Sequence, residues 1–179
     1  MSSWAIDSSH SSVEFSVRHL GLASVKGTFH TVRGEVSVDE DDLTKSTGRV
    51  EIEVASIDTR DERRDAHLRN EDFFDTANFP LATFQTLAIR HIRDDRYEVD
   101  GDLTIRGVTR PVTLSAEVSE FILDPWGNRR AAVTVEGEIN RTDFGLTWNQ
   151  VLEAGRLMVG EKVKISATTE VALASAAAA

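Results

Sequence analysis

Apolar and polar residues alternate with a period of two along most of this chain. Val13, Phe15 and Val17 alternate with Glu14, Ser16 and Arg18, and Val50, Ile52 and Val54 with Arg49, Glu51 and Glu53. One parity also carries Tyr97, Val99, Leu103 and Ile105, then Val112, Leu114, Ala116 and Val118. The same holds for Val133, Val135 and Ile139, and for Val163, Ile165, Val171 and Leu173. Successive strand residues face opposite sides, so each run has one apolar and one wet face. That is the pattern of antiparallel sheet with a solvated exterior.

Two segments change phase midway. Val25 and Phe29 sit on odd positions, but Val32, Val36 and Val38 on even ones, with the slip near His30–Thr31. Phe84 is even while Leu87 and Ile89 are odd, with the slip near Gln85–Thr86. A one-residue slip swaps faces, so each break predicts a β-bulge. Turn chemistry separates the strands at 39–47, Asp94–Asp95, Arg106–Gly107 and Asp124-Pro125-Trp126-Gly127-Asn128. These signals give about eight strands with mostly short links. Long strands in up-and-down order favour closure into one barrel, because closure removes exposed edges. A barrel of about eight strands is the size that holds one small ligand.

The stretch from Ile57 to Phe84 breaks the alternation. Thr59 followed by Glu62 reads as a capping box, with a helix over about 60–69 and Asn70 as its terminator. Asp65 with Arg69, and Asp61 with Arg64, have the spacing of interacting pairs. The apolar face is thin, chiefly Ala66 and Leu68. Such a helix contributes little core; it is expected to cover one barrel end while Phe73, Phe74 and Phe79 pack. With Phe84, Phe15 and Phe29, these aromatics either line a cavity or fill an ordinary core. Arg60, Arg63, Arg64, His67 and Arg69 either receive an anionic head group or pair with the neighbouring acids.

Composition narrows the chemistry. The 179 residues carry a net charge of −10, which disfavours nucleic acid as a partner. There is no cysteine, which excludes disulfides and thiol catalysis. The five histidines are too scattered for a metal motif, and neither a G-x-S-x-G elbow nor a phosphate-cradling glycine loop is present. No signal peptide or membrane-spanning run is apparent, so a cytoplasmic location is expected. Residues 1–173 read as a single domain, and Ala-rich 174–179 as a frayed tail.

Several blocks, in order, resemble the YceI-like family. They include Trp4-Ala5-Ile6-Asp7 with His10-Ser11, Gly27-Thr28-Phe29 and Arg64-Asp65-Ala66-His67-Leu68-Arg69 followed by Asp72-Phe73-Phe74-Asp75. Gly101 to Thr109, then Asn140-Arg141 with Asp143-Phe144-Gly145, complete the likeness over about Trp4 to Leu173. The resemblance implies a lipocalin-like, extended eight-stranded antiparallel barrel holding a polyisoprenoid, such as an isoprenoid quinone or a polyprenyl phosphate. It also implies a homodimer, and many family members are periplasmic.

The resulting expectation is a non-enzymatic lipid-binding protein with no cofactor beyond its ligand, no transmembrane segment and at most transient membrane contact. Phe15, Phe29, Phe73, Phe74, Phe84, Phe144 and Trp148 are the candidates for contact with the tail. His19, Arg64, His67 and Arg141 are the candidates for the head or rim. Two alternatives stay open: an enzyme for a hydrophobic substrate using His19 or His67, and a stress-related interaction protein whose barrel is filled by side chains.

Overall fold

The computed structural model describes residues 1–174 of the chain; the rest of the expected tail, residues 175–179, lies outside the described residues. Eleven strands form one antiparallel sheet. They are β1 (Ser2–His19), β2 (Ala23–Phe29), β3 (Val32–Val38), β4 (Thr47–Glu53), β5 (Ile57–Asp58), β6 (Leu81–Arg93), β7 (Arg96–Ile105), β8 (Val108–Val118), β9 (Ile122–Leu123), β10 (Arg129–Asn140) and β11 (Val159–Leu173). The one α-helix among the described residues is α1 (Glu62–Arg69).

Consecutive long strands are neighbours, and β11 pairs back onto β1 from Trp4–Leu173 to His19–Val159. The result is a closed, eight-stranded up-and-down barrel in which β2 and β3 together act as one strand against β1. Closure leaves no long unpaired edge, which is how an all-antiparallel sheet avoids edge-to-edge association. No helix among the described residues is long and apolar enough to cross a membrane.

The phase change in β6 is a bulge. Thr86 opposes Gly101 and Ala88 opposes Asp100, so Leu87 is the extra residue and projects to solvent instead of sharing the inward face of Ile89 as its parity suggested. The change at His30–Thr31 is not a bulge but a break between β2 and β3. There the backbone turns its hydrogen bonds away from β1: Thr31 N–H donates to Ser56 Oγ (3.1 Å), and Glu53 N–H donates to the Thr31 carbonyl (3.0 Å). A further irregularity interrupts β1 itself. Asp7 opposes Glu170 and Ser12 opposes Thr168, which leaves an outward loop through Ser8-Ser9-His10. It converts the inward parity from even at Trp4 and Ile6 to odd at Val13 and Phe15.

The helix starts two residues later than the capping box requires. Asp61 is the cap, accepting from Arg64 N–H (3.0 Å). Thr59 is held instead by the buried Asp65, which accepts from its N–H (2.9 Å) and its hydroxyl (2.6 Å). The expected Asp65–Arg69 pair therefore does not form; Arg69 donates to the carbonyls of Ala55 and Ile57, both at 2.9 Å. Asn70 does end the helix.

Two buried clusters close the interior. Phe29, Val54, Ile57, Phe73, Phe144 and Leu146 pack at the α1 end, with Leu68 of the helix against them. Trp4, Ile6, Val38, Ala131 and Val171 pack near the start of β1, backed by Phe121. Between these plugs the barrel is open.

Candidate functional site

The interior encloses a cavity of about 370 Å³. That lies within the range of small-molecule pockets, about 300–1,000 Å³. Its wall is built from the inward parity of every barrel strand, for example Val17 of β1, Val50 of β4, Val99 of β7 and Val135 of β10. These side chains point inward, yet each remains only half-buried. In a filled barrel they would touch one another and lose their exposure. The wall is almost wholly apolar; Arg141 is the one charged residue on it.

Five of the candidate aromatics face this cavity: Phe15, Phe29, Phe73, Phe74 and Phe84. Three of them hold one another in edge and tilted contacts, Phe15 to Phe29 at 5.6 Å and Phe29 to Phe74 at 5.8 Å between centroids. Two glycines make room for them. A Cβ at Gly101 would overlap the Phe84 ring, and one at Gly27 would overlap Phe15. Phe144 and Trp148 are not on the wall. Phe144 is 1% exposed inside the α1-end plug, and Trp148 backs Phe73 (5.3 Å) and His67 (4.7 Å). Inward residues such as Val36, Leu114, Ile165 and Ala167 also line the cavity. Their signal was strand parity, which marks a face but cannot tell a packed core from an empty one.

The polar candidates sit differently from a head-group site. His19 ends β1, opposite Ala23 and Val159, away from the cavity. Arg64 donates from Nε to Thr59 Oγ1 and from Nη2 to the Thr59 carbonyl, each at 2.8 Å. His67 pairs through Nε2 with Asp72 (2.8 Å) and stacks edge-on against Phe73 and Trp148. Together with Arg69, and with Arg106 Nη1 donating to the Phe73 carbonyl (2.8 Å), these groups tie the 54–80 segment over the barrel end. Arg64 and Arg69 of the arginine-rich stretch are thus engaged by backbone oxygens, while Arg60 and Arg63 are exposed. No histidine lines the cavity among the described residues, which leaves no imidazole base inside it.

Arg141 is 5% exposed. It donates to four carbonyls: Gly160 (2.8 Å), Leu146 (2.5 Å), Trp148 (3.0 Å) and Val159 (3.2 Å). Burial pushes its pKa down and Glu161 partly opposes that shift; arginine stays charged regardless. No carboxylate lies within 4.0 Å of it among the described residues, so carbonyl dipoles make all its direct contacts, with Glu161 acting on the charge from farther away. The residue clamps the 146–160 segment to the barrel and presents little polar surface to the cavity.

Outside the barrel, ligand atoms of Asp7, His10 and Glu170 lie within 4.8 Å of one another. Arg130 already bonds both carboxylates, Asp7 at 2.8 Å and Glu170 at 3.1 Å. The group is an ion-pair cluster that ties the β1 loop to β10 and β11, rather than a cage for a cation.

A closed antiparallel barrel around an apolar chamber defines the class of small barrels able to enclose one hydrophobic ligand. The particular family follows from comparison: the YceI-like domain profile matches residues 4–171, and the chain belongs to that family. The UPF0312 protein SA2479 of Staphylococcus aureus (strain N315) is 37% identical over 171 residues, covering 95% of this chain and 97% of that protein. Among solved structures, Burkholderia cenocepacia BcnA has a TM-score of 0.81 at 23% identity, covering 92% of this chain and 98% of that one. A polyisoprenoid binding domain from Saccharophagus degradans has a TM-score of 0.74 at 16% identity, covering 97% and 100% respectively.

Proposed function

We propose that this protein sequesters or carries a long-chain amphiphile, a polyisoprenoid such as an isoprenoid quinone or a polyprenyl phosphate, with the tail inside the barrel. One observation carries this reading: the inward apolar side chains stay half-buried around a cavity of about 370 Å³. Leaving such a surface unfilled forgoes both hydrophobic burial and dispersion contacts, and a tail restores them. The polyisoprenoid-binding name of the Saccharophagus degradans domain supports the ligand class. Phe15, Phe29, Phe73, Phe74 and Phe84 would touch the tail, with Phe144 and Trp148 holding their shape from behind. Each buried methylene contributes about 0.8 kcal/mol, so a few outweigh any single head-group contact.

The test is native mass measurement of the purified, undenatured protein beside mass spectrometry of its organic extract. A stoichiometric isoprenoid or other long-chain amphiphile is expected. An unliganded mass, together with no affinity for added long-chain isoprenoids, would overturn the proposal.

A further inference from the structure

A carrier of membrane lipids must meet a bilayer, and the surface offers two apolar places to do so. One is the β9–β10 hairpin, where Ile122, Leu123 and Trp126 are exposed, Trp126 at 82%. The other lies at the opposite end, where the β1–β2 turn meets the 147–158 loop. Leu22 (72% exposed), Val151 (69%) and Leu157 project there. These form one edge: Leu20 N–H donates to the Met158 carbonyl (2.9 Å), and Val151 bridges to Leu157.

Charge separates the two. The hairpin sits beside the run Asp39-Glu40-Asp41-Asp42, to which Arg129 is bonded through Glu40 (2.5 Å), with Glu120 next to its own base. That acidic collar opposes approach to an anionic leaflet. The leucine edge carries Arg18, whose Nη1 donates to the Leu22 carbonyl (3.0 Å), and Arg156 beside Leu157, against the single acid Glu153 in its loop. Arginine stems can lie along apolar surface while their heads reach lipid phosphates.

Backbone strain points the same way. Leu20 (φ 56°) and Gly21 (φ 68°) form a tight turn with two left-handed residues, closed by Leu22 N–H to the His19 carbonyl (3.1 Å). Asparagine or aspartate normally takes the first of these positions, because a bulky side chain there is strained. An apolar Leu-Gly-Leu turn therefore works against folding economy and solubility alike. The edge is also close to the chamber, since Leu146 and Val159 at the two feet of the 147–158 loop line the cavity.

We propose that the edge formed by Leu22, Val151 and Leu157, flanked by Arg18 and Arg156, is the bilayer-docking surface through which cargo is exchanged; this rests on the lipid-carrier reading above. The apolar side chains enter the interface, and the arginines hold phosphates of the leaflet.

The experiment is flotation of delipidated protein with phosphatidylcholine vesicles, with and without phosphatidylglycerol. The wild type should float, more strongly with phosphatidylglycerol and less so at high salt. The triple variant Leu22→Ser, Val151→Ser, Leu157→Ser should lose at least about tenfold in partitioning. Arg18→Gln with Arg156→Gln should lose about fivefold per residue and flatten the salt dependence. Leu123→Ser with Trp126→Ser should bind as the wild type does. Failure of the wild type to float on either composition overturns the proposal, as does loss of flotation only in the hairpin variant. Self-association abolished by the triple variant, without vesicle binding, would assign the edge to a second copy and overturn it equally. Extracting lipid from the same variants separates the two ideas: cargo without flotation defeats docking alone, and flotation without cargo defeats the carrier reading alone.

Discussion

Replacing Ala167 with leucine tests whether the barrel is an open chamber. Ala167 lies mid-strand in β11, opposite Val13 of β1 and Val135 of β10, with its side chain on the cavity wall. Leucine there adds three carbons that can only enter the chamber. They displace about three methylenes of a bound tail, at about 0.8 kcal/mol each, or about 2.4 kcal/mol in all. Affinity for a long-chain amphiphile should fall about 60-fold. The unliganded protein should be no less stable, because filling empty apolar space adds dispersion contacts. Titration calorimetry with a geranylgeranyl or longer ligand measures the first quantity, and urea denaturation of delipidated protein the second. Glu136→Leu, on the solvated face of β10, is the control and should leave affinity unchanged. The decisive pair of results is opposite in sign for a filled barrel. Overpacking would lower stability by about 1–3 kcal/mol and leave ligand affinity alone, and that outcome would refute the chamber.

Other expectations follow from the same geometry. Phe74→Glu places a carboxylate on the apolar wall and should abolish lipid binding in the same calorimetric assay, whereas Arg64→Ala, outside the cavity, should change affinity less than about fivefold; the reverse ranking would mean that head-group recognition dominates. Arg141→Met leaves four carbonyls without their donor and should lower unfolding free energy by at least about 2 kcal/mol in urea, with a folded barrel otherwise. Partial burial works against ionisation of Asp124, but hydrogen bonds from the Asn128 N–H and side chain and from Arg130 bring its pKa down from 3.8 to about 2. The folded state thus binds fewer protons, so this contribution is complete above pH ~4 and is lost as pH falls toward ~2; Asp124→Asn should lose less stability than the wild type across that window.

Strand parity made most of the wall legible in the sequence, because a two-residue period maps directly onto inside and outside. The β6 bulge was legible for the same reason: Phe84 and Ile89 both face inward from opposite parities. The same signal stood between Ile6 and Val13, where the polar run Asp7 to Ser12 marks the β1 loop, and it went unread. At His30–Thr31 parity revealed a discontinuity but not its kind, since a bulge and a strand break shift phase alike. Thr59 and Glu62 matched a capping box, but Asp61 can also cap a helix through its carboxylate, and the bonds that Thr59 donates to Asp65 decided between them. The arginines were the least legible group. Whether a guanidinium meets a ligand or a carbonyl depends on loop conformation, and Arg64, Arg69, Arg106 and Arg141 all reach backbone oxygens. Phe144 and Trp148 show the limit for aromatics, since apolar character cannot separate a wall residue from the one behind it.

The geometry of the chamber also constrains the selectivity that the proposed carrier can have. Discrimination by buried polar groups is strong because a mismatched ligand leaves them unpaired, whereas an apolar pocket separates ligands differing by one methylene by only about 1–3 kcal/mol. Here the one charged wall residue is already engaged by four carbonyls, and a ligand gains little by reaching it. Tail length and branching are therefore the properties this barrel can sense, through the fixed distance between the Trp4 and Phe144 plugs and the aromatic cluster near α1. Head groups of different chemistry on the same tail should bind with affinities within about tenfold of one another. The bound species would then reflect which long-chain lipids the protein meets, which makes the surface that meets them as much a determinant of function as the cavity itself.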